Sequence, residues 1–156
     1  MSSSLTNLFI MGMLAMGLST PANAKDLVRI NPPALGDPTP LGYSTAVVIP
    51  AGSRIALISG QAGFDDRGQL PADFATQVKN TYANLAAALE GIGAKPNQVA
   101  KLTIYVVNHD MSKLGLLTQS VVEMFGSDLP AQTLVSAPKL ALDAMLFEVE
   151  AVVALD

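Results

Sequence analysis

Apolar residues recur along the chain with two periods, and each period predicts one type of secondary structure. Residues 98–108 alternate apolar and polar side chains, which is typical of a strand with one buried face. Runs rich in β-branched residues predict four further strands, at 43–50, 54–59, 133–137 and 146–155. A short turn containing glycine separates the first two runs, so we expect them to form a hairpin.

Two other segments have the 3.6-residue period of amphipathic helices. The first covers about residues 72–91, where apolar residues recur on one face and Asp73 lies near the positive end of the helix. The second begins at Ser112 and carries an apolar stripe as far as Phe125. Gly126 follows this stripe and ends the helix.

The predicted order of elements is β-β-α-β-α-β-β, with hairpins at both ends. Strands and long helices mixed in this way favour the α+β class, with one mixed sheet and both helices on one of its faces. The other face of such a sheet must be buried by a partner. Because the last strand, 146–155, has apolar residues on both faces, we expect the open face to be buried by self-association.

The first 24 residues differ from the rest because they contain no charged residue. Their apolar stretch, Leu8–Leu18, is eleven residues long and therefore too short for a stable helical span of a bilayer. Ala22 and Ala24 complete the small-residue pattern of a signal peptide cleaved after Ala24. The sequence therefore predicts a periplasmic or secreted protein, and the alternative is an irregular N-terminus without that role.

The remaining chain divides into an arm and one domain. Residues 25–42 are rich in proline, which favours an extended arm over the surface. Residues 43–156 make up the predicted domain, and a single domain agrees with a total length of 156 residues.

Composition narrows the range of functions. The net charge is −4, with nine basic residues and no basic cluster, so the chain lacks the electrostatic footprint of a nucleic-acid-binding protein. It has no cysteine and one histidine, which excludes disulfides, thiol chemistry and a histidine-rich metal site. Sites made of carboxylates alone remain possible, but the sequence has no EF-hand-like spacing. We therefore expect no metal and no nucleic-acid partner.

Two features of the chain carry candidate chemistry. Glu148 and Glu150 are two residues apart on a predicted strand, so their side chains share a face at a spacing of about 6.6 Å. Such a pair serves acid–base chemistry or holds water in a cleft, and the alternative is a salt-bridged or solvated pair at a subunit rim. The second feature, SGQAG at 59–63, either brings glycine backbone close to a ligand or forms an ordinary turn.

Four segments, taken in order, resemble the reactive-intermediate deaminase family, known as Rid or YjgF and also labelled endoribonuclease L-PSP. They are ISGQAG, the helix and strand from NLAAALEG to LTIYV, MFGSDLPAQT and FEVEAVVAL. The resemblance covers about residues 39–155. It implies the same sheet with two helices, a chorismate-mutase-like fold, assembled as a homotrimer with a ligand cleft between each pair of subunits.

The resemblance also implies site residues and a reaction. In active members, a cleft lined by a tyrosine, a Ser-Gly turn, an arginine and a glutamate hydrolyses a 2-imino or enamino acid without a metal or an organic cofactor. The tyrosine is similar to Tyr43, the turn to Ser59 and Gly60, and the catalytic glutamate to Glu148. The arginine position holds Gln132, which offers a carboxylate a neutral amide in place of a charged, bidentate guanidinium.

Two functions are consistent with this departure. The first is the binding of a small polar or uncharged ligand through Gln132, Tyr43 and Glu148, without the usual deaminase activity. The alternative is an active imine or enamine deaminase in which Glu148 holds the attacking water. RNA cleavage, which the older family label suggests, is disfavoured by the acidic chain.

Overall fold

The computed structural model describes residues 26–156, so the predicted signal peptide lies outside the described residues. No helix in this range is long and apolar enough to span a bilayer. The strands are β1 (Val28–Ile30), β2 (Ala46–Val48), β3 (Arg54–Ala62), β4 (Val99–Val107), β5 (Ala131–Ala137) and β6 (Phe147–Leu155), and the α-helices are α1 (Phe74–Gly91) and α2 (Met111–Phe125).

Four strands form the main sheet in the order β3-β6-β4-β5. β6 is antiparallel to both of its neighbours, whereas β4 and β5 are parallel. A parallel pair needs a long crossover connection, and α2 supplies it between β4 and β5. The mixed sheet with two helices confirms the predicted α+β class.

Both helices cover the same face of the main sheet. The core between helices and sheet contains Val78 and Leu85 of α1, Val121 of α2, Ile104 of β4 and Val149 of β6, all fully buried. Along β4 the buried positions alternate with half-buried ones, as the period of two predicts. The polar positions of β4 and β6 are thereby directed to the other face.

An aspartate side chain caps the start of each α-helix. Asp73 accepts a hydrogen bond from the Thr76 amide at 2.8 Å, in agreement with its expected place at the start of α1. The cap of α2 is Asp110 rather than Ser112, and its carboxylate accepts from the Ser112 amide at 2.8 Å. A carboxylate suits this position because it also interacts favourably with the positive end of the helix dipole.

The predicted hairpins at both ends of the domain are wrong. β2 pairs with β1, with Val28 opposite Val48, and not with β3. The reason is that Ser44, just before β2, pairs with Ala131 of β5, at the sheet edge opposite to β3. At the other end, β4 lies between β5 and β6. The proline-rich arm thus contributes a strand, β1, where the sequence predicts an irregular segment.

The second face of the main sheet is open in the single chain. On β3, the side chains of Ile55 and Leu57 are 50% and 78% exposed. Lys101, Thr103 and Glu150 lie on the same face, on β4 and β6. A patch that combines exposed apolar residues with polar ones is typical of an interaction surface.

Gln77 of α1, whose side chain is fully buried, forms hydrogen bonds with the loops at one end of the sheet. Its Nε2 donates to the carbonyls of Pro71 and Ala144 at 2.7 and 2.8 Å, and its Oε1 accepts from the Leu146 amide at 2.9 Å. These three bonds satisfy the buried amide and fix the entry of the chain into β6, which carries Glu148.

Candidate functional site

The first part of the candidate site is a bulge in β3. The pairing register between β3 and β6 shifts between Ile58 and Gln61, so Ser59 and Gly60 lie in the bulge. A bulge bends its strand and re-aims the neighbouring side chains. The structure brings this bulge next to Glu148 of β6.

Glu148 lies directly against the backbone of Gly60. A β-carbon added at Gly60 would stand 1.7 Å from the Oε1 atom of Glu148, a separation that two unbonded atoms cannot adopt. Glycine at this position is therefore what allows the carboxylate to occupy the bulge. Ser59, Gly60 and Glu148, which the sequence resemblance grouped, are neighbours in the structure.

Glu148 and Glu150 share the open face of the sheet, as their spacing predicts. Burial raises the pKa of Glu148 above its usual range, and the nearby Glu150 carboxylate raises it further. The Tyr105 hydroxyl of β4 donates to Oε1 of Glu150 at 3.2 Å. Within residues 26–156, no ion pair of the single chain includes either glutamate.

A groove of about 320 Å³ lies beside this pair on the open face. Ser59, Lys101, Thr103 and Glu150 contribute polar groups to its lining. Burial lowers the pKa of Lys101, whose Nζ donates to the Thr133 hydroxyl. The sequence resemblance did not single out Lys101 or Thr103, although the alternation along β4 placed both on this face.

The second part of the candidate site lies at the opposite edge of the sheet, beside β5. Ser44 donates through its hydroxyl to the Leu129 carbonyl at 2.8 Å and through its amide to the Pro130 carbonyl at 2.9 Å. These bonds hold the half-buried Tyr43 next to the segment that leads into Gln132.

Gln132 lies opposite Leu102 of β4, whose side chain is fully buried under the helices. The Gln132 side chain is therefore on the helix-covered side of the sheet. Its Oε1 atom is buried and has no hydrogen-bond partner among the described residues. An unpaired buried acceptor costs about 1–3 kcal/mol and is uncommon in a folded protein.

Arg29 of β1 binds the loop that precedes Gln132 through its guanidinium group. Its Nε donates to the Leu129 carbonyl at 3.1 Å, and one terminal nitrogen donates to the carbonyls of Asp128 and Asn97 at 2.9 and 3.0 Å. The other terminal nitrogen is 3.5 Å from the Asp128 carboxylate. All three guanidinium nitrogens are thus engaged in holding backbone and side chain of this region.

The two parts of the candidate site do not meet within one chain. Gln132 lies opposite Leu102 and Glu148 lies opposite Tyr105, so they are separated by two strand spacings and three residues along the strands. Ordinary strand spacing and rise put their α-carbons roughly 14 Å apart. Their side chains are also on opposite faces of the sheet, so neither part forms a closed cleft by itself.

A larger groove, of about 500 Å³, lies between α1 and α2 and is lined in part by Tyr82 and Met124. It contains none of the candidate residues, so its size alone does not make it the functional site. Within residues 26–156 no group of three or more metal-binding side chains lies close enough together to hold a metal ion.

Sequence comparisons match most of the chain. The family described as Endoribonuclease L-PSP matches residues 37–155. A RutC family protein of Pyrococcus horikoshii is 34% identical over 118 residues, which are 74% of this chain and 89% of that protein. The 2-iminobutanoate/2-iminopropanoate deaminase of Escherichia coli K12 is 26% identical over 101 residues, which are 64% of this chain and 78% of that protein.

Solved structures share the arrangement of helices and sheet. The Rid family protein YyfB from Yersinia pestis has a TM-score of 0.78 at 32% identity, and the match covers 84% of this chain and 100% of that one. RidA from an Antarctic Psychrobacter has a TM-score of 0.60 at 27% identity, covering 72% and 88% of the two chains.

Replacing Gly60 with alanine is expected to expel the Glu148 carboxylate from the bulge, because the new methyl group needs the space that the carboxylate occupies. We expect a loss of about 1–3 kcal/mol in the free energy of unfolding, measured with urea. The control is Gly115→Ala in α2, where a β-carbon meets nothing within 4 Å and the gain is up to about 1 kcal/mol. Equal effects of both changes would contradict the contact.

Replacing Glu150 with glutamine is expected to lower the pKa of Glu148 without returning it to its usual range, because burial is the larger cause and remains. A raised pKa in the folded state means that folding favours the protonated carboxyl. Stability from this group is therefore present at low pH and is lost as pH rises through the raised pKa. The variant should lose less stability over that interval.

Titration of the Glu148 carboxyl carbon by NMR, together with urea unfolding at acidic and neutral pH, measures both effects. An unchanged pKa of Glu148 in the variant would show that the two carboxylates do not interact.

Proposed function

Since the chain belongs to the Endoribonuclease L-PSP family, which includes the Rid proteins, we propose that it binds a small polar or uncharged molecule in clefts between subunits of a homotrimer. The observation that carries this proposal is the separation of the candidate residues into two parts. One part holds Ser59, Gly60 and Glu148, and the other holds Tyr43 and Gln132. A second copy of the chain supplies the missing part to each.

The open face of the main sheet supports the assembly. Leu57 is 78% exposed there, and a leucine side chain gains about 1.5–3 kcal/mol from full burial. Packing this face against other copies of the chain covers the exposed side chains of β3 and brings the edge of one sheet towards the bulge of another. The cleft is then formed at the subunit boundary.

Gln132 is the reason to expect binding without the deaminase activity of the Escherichia coli relative. An arginine at this position would form charge-assisted hydrogen bonds with a carboxylate, worth about 1.5–3 kcal/mol. Their loss weakens the binding of a 2-imino acid by about ten- to a hundredfold. A neutral amide suits a neutral ligand, and no metal or organic cofactor is needed for this role.

The alternative function is a deaminase that works without the arginine, and the position of Glu148 favours it. A carboxyl with a raised pKa, held in a bulge, is suited to orient a water molecule. The water oxygen would bond to the imine carbon, the carbon–nitrogen bond would break, and ammonia would leave behind a 2-oxo acid.

The proposed place of action is the periplasm or the cell exterior. The support is the uncharged, apolar leader that ends at Ala24. The acidic composition makes RNA an unsuitable ligand, because a phosphate backbone requires clustered basic residues.

Replacing Leu57 with lysine is expected to convert the trimer to monomers, because assembly would bury an unpaired charge. Light scattering of the purified chain should change from the mass of three chains to that of one. Leu35→Lys is the matched control, since Leu35 is 72% exposed but lies in the arm, outside the main sheet. A wild-type monomer would refute the assembly through the open face.

Ammonia release from freshly generated 2-iminobutanoate separates the two functions. We expect the wild type to release no ammonia above the uncatalysed rate and Gln132→Arg to gain activity. Gln119→Arg adds the same charge on the exposed face of α2 and should remain inactive. Activity of the wild type would establish the alternative function.

A further inference from the structure

Tyr105 of β4 is the neighbour that the two glutamates of β6 share on the open face. It is paired directly with Glu148 across the two strands, and its hydroxyl donates diagonally to Oε1 of Glu150 at 3.2 Å. Aromatic side chains are long enough to reach such a diagonal neighbour. An inference from this contact rests on the proposed function for its role, since Glu148 belongs to the proposed cleft, although the contact itself lies within one chain.

The two carboxyl groups have unequal surroundings. Glu150 accepts the hydrogen bond of Tyr105, whereas the Glu148 carboxylate packs against the Gly60 backbone and receives no hydrogen bond from residues 26–156. A donor stabilises the ionised form of a carboxyl, and burial without a donor disfavours that form. Burial accordingly raises the pKa of Glu148, and the charge of Glu150 raises it further.

The charged side chains on the neighbouring strands do not reverse this inequality. In register, Lys101 of β4 lies nearer to Glu150 than to Glu148, so its charge also favours the ionised form of Glu150. Arg54 lies at the far end of β3 and donates to the carbonyl of the C-terminal residue. The described strand β5 carries no titratable side chain. Among the described residues, Tyr105 is therefore the hydrogen-bond donor that distinguishes the two carboxyls.

We propose that Tyr105 is a positioning residue, which holds Glu150 in the ionised form and thereby places the single proton of the pair on Glu148. Two interacting carboxyls take up their protons in two steps, and between these steps one proton serves the pair. The site then offers an O–H donor beside the bulge, from Glu148, and a charged acceptor in the groove, from Glu150. A ligand that fits this arrangement presents a lone pair to Glu148 and N–H or O–H groups to Glu150.

Tyr105→Phe tests the proposal, because it removes the hydroxyl and keeps the ring. The side-chain carboxyl carbons of Glu148 and Glu150 are followed by NMR in the full-length protein as the pH is lowered. In the wild type we expect Glu148 to take up its proton at higher pH than Glu150. In the variant, the preference of the first proton for Glu148 over Glu150 should fall at least about threefold, because Glu150 has lost a hydrogen bond to its charged form.

Tyr82→Phe is the matched control. It removes a buried hydroxyl of α1 that has no hydrogen-bond partner among the described residues, on the helix-covered side of the sheet, and should leave the preference unchanged.

Two results would overturn the proposal. In the first, Glu150 takes up the first proton in the wild type, which contradicts the position of the proton. In the second, Tyr105→Phe leaves the preference unchanged, even if it lowers stability, which contradicts the role of Tyr105. Light scattering of the same samples tests the assembly separately. A monomer that keeps the preference would refute the cleft between subunits and support the position of the proton.

Discussion

The packing of both helices against one face of a four-stranded sheet is the constraint on which the rest of the molecule depends. It uses the apolar positions of β4 and β6, such as Ile104 and Val149, for the core. The alternate positions are then forced onto the other face, where Glu148 and Glu150 lie beside exposed leucine and isoleucine. Burial of one face thus determines which side chains the other face presents, and the proposed assembly uses that second face.

Periodicity predicted the elements well because each element repeats its pattern over many residues. The alternation along β4 and the helical stripe of α1 correspond to observed buried faces. Pairing partners were predicted less well. The hairpin at residues 43–59 was wrong because a short β-branched run does not specify its partner, and the Ser44–Ala131 bridge joins residues far apart in the sequence.

The candidate site was predictable in its residues but not in its arrangement. Ser59, Gly60 and Glu148 could be named from the resemblance, yet the bulge that brings them together depends on a register shift that no local pattern encodes. Lys101 and Tyr105 are recognised as neighbours of the site only from their contacts with Thr133 and Glu150 on the adjacent strands, which the sequence alone does not reveal. Gln132 shows the limit of inference from fold, because a shared architecture does not by itself establish a shared reaction, and the proposed difference in reaction rests on this one side chain.

The hydrogen bonds of Arg29 make the loop before Gln132 depend on the proline-rich arm. Arg29 and the loop at Asp128 and Leu129 are 99 and 100 residues apart in the sequence. Contacts between such distant segments require a long stretch of chain to close, which costs conformational entropy. The loop before Gln132 is therefore held by these bonds only when the arm and the domain are both present, and a chain that lacks Arg29 loses them. The proline-rich arm is thereby a part of the domain's architecture and not an appendage to it.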